Sequence, residues 1–114
     1  MVKFVFLIPR RNDLSRDDFN RQWRDVCVPL VRKLPGLRSY IISPVLEQPG
    51  SANPTYDGVA ELWFDDAKAG QKALGSTEGQ AVVNDMPNFA DMKKFVVLVT
   101  EEQVIVPAQK GARA

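Results

Sequence analysis

Histidine is absent from this 114-residue chain, and cysteine occurs once, at Cys27. Zinc, haem and most redox metals are held by imidazole nitrogens or by several thiolates, so the sequence offers no ligand set for them. A nucleophile activated by histidine and an internal disulfide are excluded for the same reason. An oxygen-only magnesium or calcium site stays open, although the chain contains no clustered acidic loop of the calcium-binding kind. We therefore predict a protein without a metal or a cofactor.

Long runs of like charge and long apolar runs are also missing. Fifteen basic and fourteen acidic residues give a net charge of +1, and no basic block is long enough to follow a phosphate backbone, so we expect no nucleic-acid partner. No apolar run approaches the roughly 20 residues that span a membrane. The first ten residues are typical of a strand rather than a secretory signal. We expect a cytoplasmic protein with a single domain.

Hydrophobic periodicity divides the chain into six elements, in the order strand, helix, strand, strand, helix, strand. This order is the split βαβ pattern of a ferredoxin-like α+β fold, a four-stranded antiparallel sheet with helices on one face. The predicted strands run from Val2 to Pro9, from Leu37 to Val45, from Tyr56 to Phe64 and from Phe95 to Val106.

The first helix is predicted from about Arg16 to Lys33, because apolar residues recur there at spacings of three and four. Ser15 and Asp18 resemble a capping box at its start. Pro29 removes one backbone donor within the helix, which predicts a kink or an early end. The second helical stretch is predicted in two pieces, one capped by Asp65 or Asp66 and ending at Leu74, the other capped by Ser76 and running from Thr77 to about Met86.

The strands do not alternate cleanly between apolar and polar residues, since the runs 4–8 and 95–99 are apolar on both faces. With helices on one side only, such a sheet would expose a large apolar patch on the other. We predict that a second copy covers this patch, which gives a homodimeric α+β barrel. The alternative is that the C-terminal segment or the loop 46–55 folds back over it, although that loop is polar. Residues 1–106 are assigned to the domain and residues 107–114 to a flexible tail.

Three stretches of the sequence resemble the EthD family of dimeric α+β barrels. They are FNRQWRDVCVPLVRKLPGLRSY at 19–40, YDGVAELWFDD at 56–66 and NDMPNFADMKKFVVLVTEEQVI at 84–105. Trp23, Cys27 and Pro29 follow the family's W-x-x-x-H-x-P pattern, with cysteine in place of the usual histidine. A family mechanism in which that histidine moves protons therefore does not carry over to this chain.

The resemblance implies a pocket between the sheet and the helices of each protomer. Members of the family and its relatives act in the degradation of ethers, aromatics and muconolactones and in polyketide tailoring. We therefore expect a cofactor-independent enzyme or pathway accessory, such as an isomerase, lyase or oxygenase, that acts on an aromatic, lactone or polyketide-like compound. The alternative is a non-catalytic ligand-binding or structural dimer, whose cavity is filled by Trp23, Leu62 and Phe89. Haem degradation, known in other dimeric barrels, is excluded because no axial histidine is present.

Three residues are candidates for chemistry in this pocket. Tyr40, on the second strand, can donate a hydrogen bond to a ligand oxygen and act as an acid. Cys27 can supply a thiol from the first helix, although a buried thiol resists ionisation and a small core residue is the plainer explanation. Asp85, near the end of the second helical stretch, is the candidate carboxylate, although a solvated helix end is the more common role.

Apolar residues on the helix side of the sheet are expected to form the pocket wall. The small residues Gly58 and Ala60 on the third strand should leave room there for a ligand. Glu61 lies on the opposite face of the same strand, where it would need a basic partner from the second chain. The predicted substrate-binding residues are Phe6, Trp23, Leu62, Phe64 and Phe89.

Overall fold

A four-stranded antiparallel sheet with helices on one face forms the protein, for which the computed structural model describes residues 1–50 and 53–109. A π-helical turn, Trp23–Cys27, joins the first two helices, and a 3₁₀ turn, Met86–Asn88, follows the last one. The elements are β1 (Val2–Ile8), α1 (Arg16–Gln22), α2 (Val28–Val31), β2 (Ser39–Pro44), β3 (Gly58–Phe64), α3 (Ala67–Gly75), α4 (Thr77–Asp85) and β4 (Val96–Glu101).

The strand order β2-β3-β1-β4, with every pair antiparallel, confirms the predicted ferredoxin-like fold. Each strand is shorter than predicted, because a strand ends where its neighbour stops offering partners. β4 ends at Glu101, opposite Val2, where β1 begins. β2 ends at Pro44, opposite Gly58, and proline cannot donate to a continuing ladder.

The first helical segment changes its winding before Pro29 rather than at it. The backbone N–H of Val28 donates to the carbonyl of Trp23, five residues earlier, which widens the helix into a π turn. In a regular α-helix the ring of Pro29 would crowd the carbonyl of Asp25. The wider π turn contains Asp25 and lies just before Pro29 in the chain. The helix then ends at Val31, two residues earlier than predicted.

The inner face of the sheet packs against the helices and forms the core. On β3 the inward residues are buried from Gly58 to Phe64, and on β1 the inward residues are Phe4, Phe6 and Ile8. The indole of Trp23 lies directly on Gly58, since a Cβ added there would fall 2.5 Å from the ring. The expectation that Gly58 leaves room for a ligand is therefore wrong, because Trp23 fills that space.

The outer face of the sheet, which points away from the helices, combines a polar network with exposed aliphatic residues. The Lys3 ammonium lies 2.8 Å from Glu61 and 5.4 Å from the centre of the Trp63 ring. The prediction that Glu61 takes its basic partner from a second chain is therefore wrong, because Lys3 of β1 lies opposite Trp63 of β3, two residues along the strand from Glu61 and on the same face. Ile41 and Leu98 are exposed on the same face.

A buried ion cluster ties together the loops at the end of the sheet where β1 stops. The carboxylate of Asp57 lies 3.5 Å from the Arg10 Nε and 3.4 Å from an Arg16 terminal nitrogen. Arg16 also donates to the carbonyl of Val45, at 3.3 Å. These contacts hold the start of α1 against the loop between β2 and β3.

Two predicted segments extend past the described residues. Residues 51 and 52 of the loop 46–55 and residues 110–114 of the tail lie outside them. Among the helices of the described residues, none has the length and apolar character needed to cross a membrane.

Replacing Gly58 with alanine should destabilise the protein by about 1–3 kcal/mol, because the new methyl group overlaps two ring carbons of Trp23. Gly75→Ala is the matched control, since its Cβ meets nothing within 4 Å and alanine favours a helix. Urea unfolding of both variants measures the difference. Equal stability of the two variants would show that Trp23 does not occupy the space above Gly58.

Candidate functional site

The π turn places Trp23 and Cys27 in the interior, beneath the first helical segment. Single π turns within helices are uncommon and recur at functional sites. Both side chains are almost completely buried, so neither is a surface residue of the helix. Cys27 therefore places its thiol in the core. Two further candidate residues, Tyr40 and Asp85, lie near this thiol.

Burial and, to a smaller extent, the nearby negative charge of Asp85 raise the pKa of the Cys27 thiol to about 12. Both effects disfavour the thiolate, the nucleophilic form of cysteine. At neutral pH Cys27 is therefore a protonated thiol that can donate a weak hydrogen bond. This protonation state argues against Cys27 as a nucleophile.

Tyr40 lies on the inner face of β2, opposite Leu62 of β3. Its hydroxyl group is buried and has no hydrogen-bond partner among the described residues. Burial raises the pKa of Tyr40 well above its usual value, and the charge that a Cys27 thiolate would carry adds to the effect. The phenol therefore keeps its proton, and its hydroxyl group can donate a hydrogen bond to a ligand oxygen.

Asp85 ends α4 with a buried carboxylate rather than a solvated one. One oxygen, Oδ1, accepts hydrogen bonds from Gln22 Nε2 at 3.3 Å and from Asn88 Nδ2 at 3.1 Å. The other oxygen, Oδ2, is buried without a partner in the described part of the chain. A buried carboxylate oxygen without a donor is costly, and such groups call for a specific explanation.

Cys27, Tyr40 and Asp85, here called the polar cluster, are thus brought within electrostatic reach of one another. Cys27 is the middle member, because its pKa responds to Asp85 and the pKa of Tyr40 responds to it. The cluster holds one free donor, the Tyr40 hydroxyl, and one free acceptor, Asp85 Oδ2. A donor and a carboxylate in an apolar surrounding can polarise a carbonyl and accept a proton.

The predicted apolar residues are all buried, but they do not all surround the polar cluster. Leu62 is the cross-strand neighbour of Tyr40, and Trp23 lies one turn from Cys27. The other three make aromatic contacts elsewhere in the core: Phe64 with Phe4 at 5.5 Å between ring centres, Phe6 with Phe95 at 5.7 Å and Phe89 with Phe19 at 5.6 Å.

Five surface cavities of about 410 to 700 Å³ are formed by the described residues, and none of the five is lined by Cys27, Tyr40 or Asp85. One of about 450 Å³ opens between the start of α1 and the end of β2, where it is lined by Asn20 and Pro44. The side-chain oxygen of Asn20 is buried without a partner among these residues.

Sequence reasoning missed the residues that orient the cluster. Asn88 lies three residues after Asp85, a spacing that could have marked it as a partner. Gln22 is 63 positions away from Asp85 along the chain, so no local pattern connects the two. The pairing of Asp57 with Arg10 and Arg16 was missed for the same reason.

The fold and the site define a ferredoxin-like α+β protein with polar groups buried under its first helix. The model of the EthD domain matches residues 11–93. A protein of Rhodococcus erythropolis, described as "Uncharacterized 11.0 kDa protein in thcB-thcC intergenic region", is 31% identical over 90 residues, which cover 78% of this chain and 84% of the relative. The chain belongs to the EthD family.

Solved structures share this architecture. An ethyl tert-butyl ether D family protein of Bacillus halodurans superposes with a TM-score of 0.77 at 27% identity, over 90% of this chain and 99% of that one. A dimeric protein of ferredoxin-like fold from Bacteroides fragilis superposes with a TM-score of 0.67 at 15% identity, over 89% of this chain and 95% of that one. SnoaB, a cofactor-independent oxygenase from Streptomyces nogalater, superposes with a TM-score of 0.66 at 13% identity, over 93% of this chain and 96% of that one. The last two likenesses concern the fold alone.

The stability of the protein should fall as the pH rises above about 8.5. An unfolded thiol titrates near about 8.5, whereas folding raises the pKa of Cys27 to about 12, so the unfolded chain loses its proton first. The contribution of Cys27 to the free energy of unfolding is complete below about pH 8.5. It is lost between about pH 8.5 and about pH 12, at no more than about 1.4 kcal/mol per pH unit.

Urea unfolding between about pH 8 and 9, at least about one unit below the pKa of free tyrosine, measures this slope at a fixed protein concentration. Cys27→Ala is the control and should show a shallower fall over the same window. Parallel curves for the parent and the variant would mean that Cys27 is not shielded from water.

Proposed function

We propose that this protein binds an aromatic, lactone or polyketide-like compound at the polar cluster and acts on it by acid–base chemistry without a cofactor. The observation that carries the proposal is the pair of buried polar atoms, the Tyr40 hydroxyl and Asp85 Oδ2, that have no hydrogen-bond partner among the described residues. The fold shared with a cofactor-independent oxygenase supports chemistry without a cofactor, and the class of compound is the one that the resemblance to the EthD family implies. A cytoplasmic location remains a prediction from the sequence.

The chemistry assigned to the polar cluster is proton transfer next to a carbonyl group. Tyr40 donates a hydrogen bond to the carbonyl oxygen, which stabilises the negative charge that develops there. The Asp85 carboxylate accepts the proton from the neighbouring carbon, while Gln22 and Asn88 hold its other oxygen in place. Return of the proton to a different carbon of the same compound would give an isomerisation that needs no other reactant.

A second candidate function is a non-catalytic ligand-binding or structural dimer. One observation favours it: the Trp23 indole packs on Gly58, and the five cavities leave the polar cluster closed. On this alternative the unsatisfied atoms of Tyr40 and Asp85 are a cost of packing, and no compound reaches them. Binding and proton exchange, measured separately, distinguish the two candidates.

A hydroxyanthraquinone, which carries both a phenol and a carbonyl group, should quench the fluorescence of Trp23 saturably in a Trp63→Phe background, where Trp23 is the remaining tryptophan. Tyr40→Phe should weaken this binding about three- to tenfold, the range expected for one hydrogen bond. Tyr56→Phe, a change at the second of the two tyrosines, is the matched control and should bind like the parent.

Catalysis is tested in deuterated water with an aryl ketone or lactone that has an acidic C–H group. The parent should speed deuterium uptake at that carbon, and Asp85→Asn should abolish the increase while binding persists. Binding without exchange would favour the non-catalytic alternative. Absence of any binding, or equal binding by the two tyrosine variants, would defeat the proposal of a site at the polar cluster.

We also propose that the protein works as a homodimer through the outer face of the sheet. Val5 and Leu7 of β1 point to this face, next to Leu98 of β4, and Ile41 lies on its far strand. These aliphatic residues flank the Lys3–Glu61 ion pair, and exposed apolar surface of this kind often marks an interaction site. Proteins of the same fold from Bacteroides fragilis and Thermobifida fusca are described as dimeric.

Ile41→Lys should weaken the dimer at least tenfold, because it replaces an apolar side chain of the proposed interface with a charged one. Its ammonium group can pair with the cross-strand neighbour Glu61, so the isolated chain should stay folded. Leu46→Lys, an equal change at an exposed loop residue, is the control. Sedimentation equilibrium gives the dissociation constants, and equal values for the two variants would exclude this face as the interface.

A further inference from the structure

The carboxylate of Asp85 is buried without a positive partner. Only 7% of the residue is exposed, and its hydrogen bonds come from the neutral amides of Gln22 and Asn88. Across residues 1–50 and 53–109, no lysine or arginine forms an ion pair with it. The charge is felt inside the core, where it helps to raise the pKa of Cys27. The polar cluster therefore carries a negative charge that nothing nearby offsets.

The second buried carboxylate, that of Asp57, shows how a structural charge is held in the same protein. Asp57 is 6% exposed, and its oxygens lie 3.5 Å from the Arg10 Nε and 3.4 Å from an Arg16 terminal nitrogen. Buried charges are normally paired in this way. Asp85 is buried to the same extent as Asp57 but lacks the guanidinium groups, so ion pairing does not account for its position.

The elements that surround the polar cluster contain almost no basic residues. Strands β2 and β3 and helices α2 and α4 have neither lysine nor arginine. The π turn has one basic residue, Arg24, and its side chain is exposed. A compound bound at the polar cluster would therefore meet the charge of Asp85 with no cation from these elements to balance it.

We infer that the polar cluster takes an uncharged compound and rejects analogues that carry a carboxylate, with Asp85 as the residue that determines this specificity. The inference rests on the function proposed above, and it narrows the class of compound to neutral aromatics and lactones. An anion would lose its hydration in the core and would be repelled by Asp85. A neutral compound can accept a hydrogen bond from the Tyr40 hydroxyl and donate an N–H or O–H group to Asp85 Oδ2.

Two aromatic lactones that differ only in charge test the inference: coumarin-3-carboxamide and coumarin-3-carboxylate. The acid is ionised at neutral pH, because free carboxyl groups titrate near about pH 4. In titration calorimetry at neutral pH, the parent should bind the carboxamide at least about tenfold more tightly than the carboxylate. Tyr40→Phe should weaken binding of the carboxamide about three- to tenfold, the range expected for one hydrogen bond, which assigns the binding to the polar cluster.

Variants of charged and neighbouring residues assign the preference to Asp85. Asp85→Asn keeps the shape of the side chain and removes its charge, so the ratio of the two dissociation constants should fall below about threefold. Asp25→Asn removes the same charge from an exposed residue of the π turn and should keep the parent's ratio. Gln22→Lys places an ammonium group beside the Asp85 carboxylate, which Gln22 now contacts, and should lower the ratio without removing that carboxylate.

Three results would overturn the inference. Equal binding of the two coumarins by the parent, with both weakened by Tyr40→Phe, would leave the site in place and exclude selection by charge. An equal fall of the ratio in Asp25→Asn and Asp85→Asn would show that the net charge of the protein, rather than Asp85, sets the preference. Absence of binding by either coumarin would also defeat the inference, while the proposed function is still judged by the hydroxyanthraquinone titration.

Discussion

The constraint on which this structure depends is that a thin sheet carries apolar residues on both of its faces. β1 shows it most clearly, with Phe4, Phe6 and Ile8 directed to the helices and Val5 and Leu7 directed away from them. The helices of one chain can cover only one face. The fold therefore creates an internal core and, at the same time, an apolar surface that the proposed dimer would cover.

The same packing sets the character of the candidate site. Because Trp23 lies on Gly58, the first helix sits close to the sheet, and the π turn that follows directs Cys27 into the interior. Tyr40 and Asp85 then approach Cys27 from the sheet and from α4. Their unsatisfied atoms are an energetic cost that ordinary core packing would avoid, which is why we assign them a function.

Sequence periodicity predicted the fold well, because the pattern of inward residues such as Ala60 and Leu62 depends only on neighbours two positions apart. Strand ends were predicted less well, since they depend on pairing: β4 stops where β1 starts. The site was predicted in part. Cys27, Tyr40 and Asp85 do come together, but their surroundings depend on contacts between residues far apart in the chain. The filling of the space over Gly58, the ion pair of Glu61 with Lys3 and the hydrogen bond from Gln22 to Asp85 are all of this long-range kind.

Dimer formation is the proposal that joins these observations, because it would cover the aliphatic residues of the outer face. Sedimentation equilibrium of the unmodified protein at micromolar concentration tests it most directly. The account predicts a species with twice the mass of one chain. A single-chain mass across that range, with Ile41 and Leu98 left in contact with water, would contradict it.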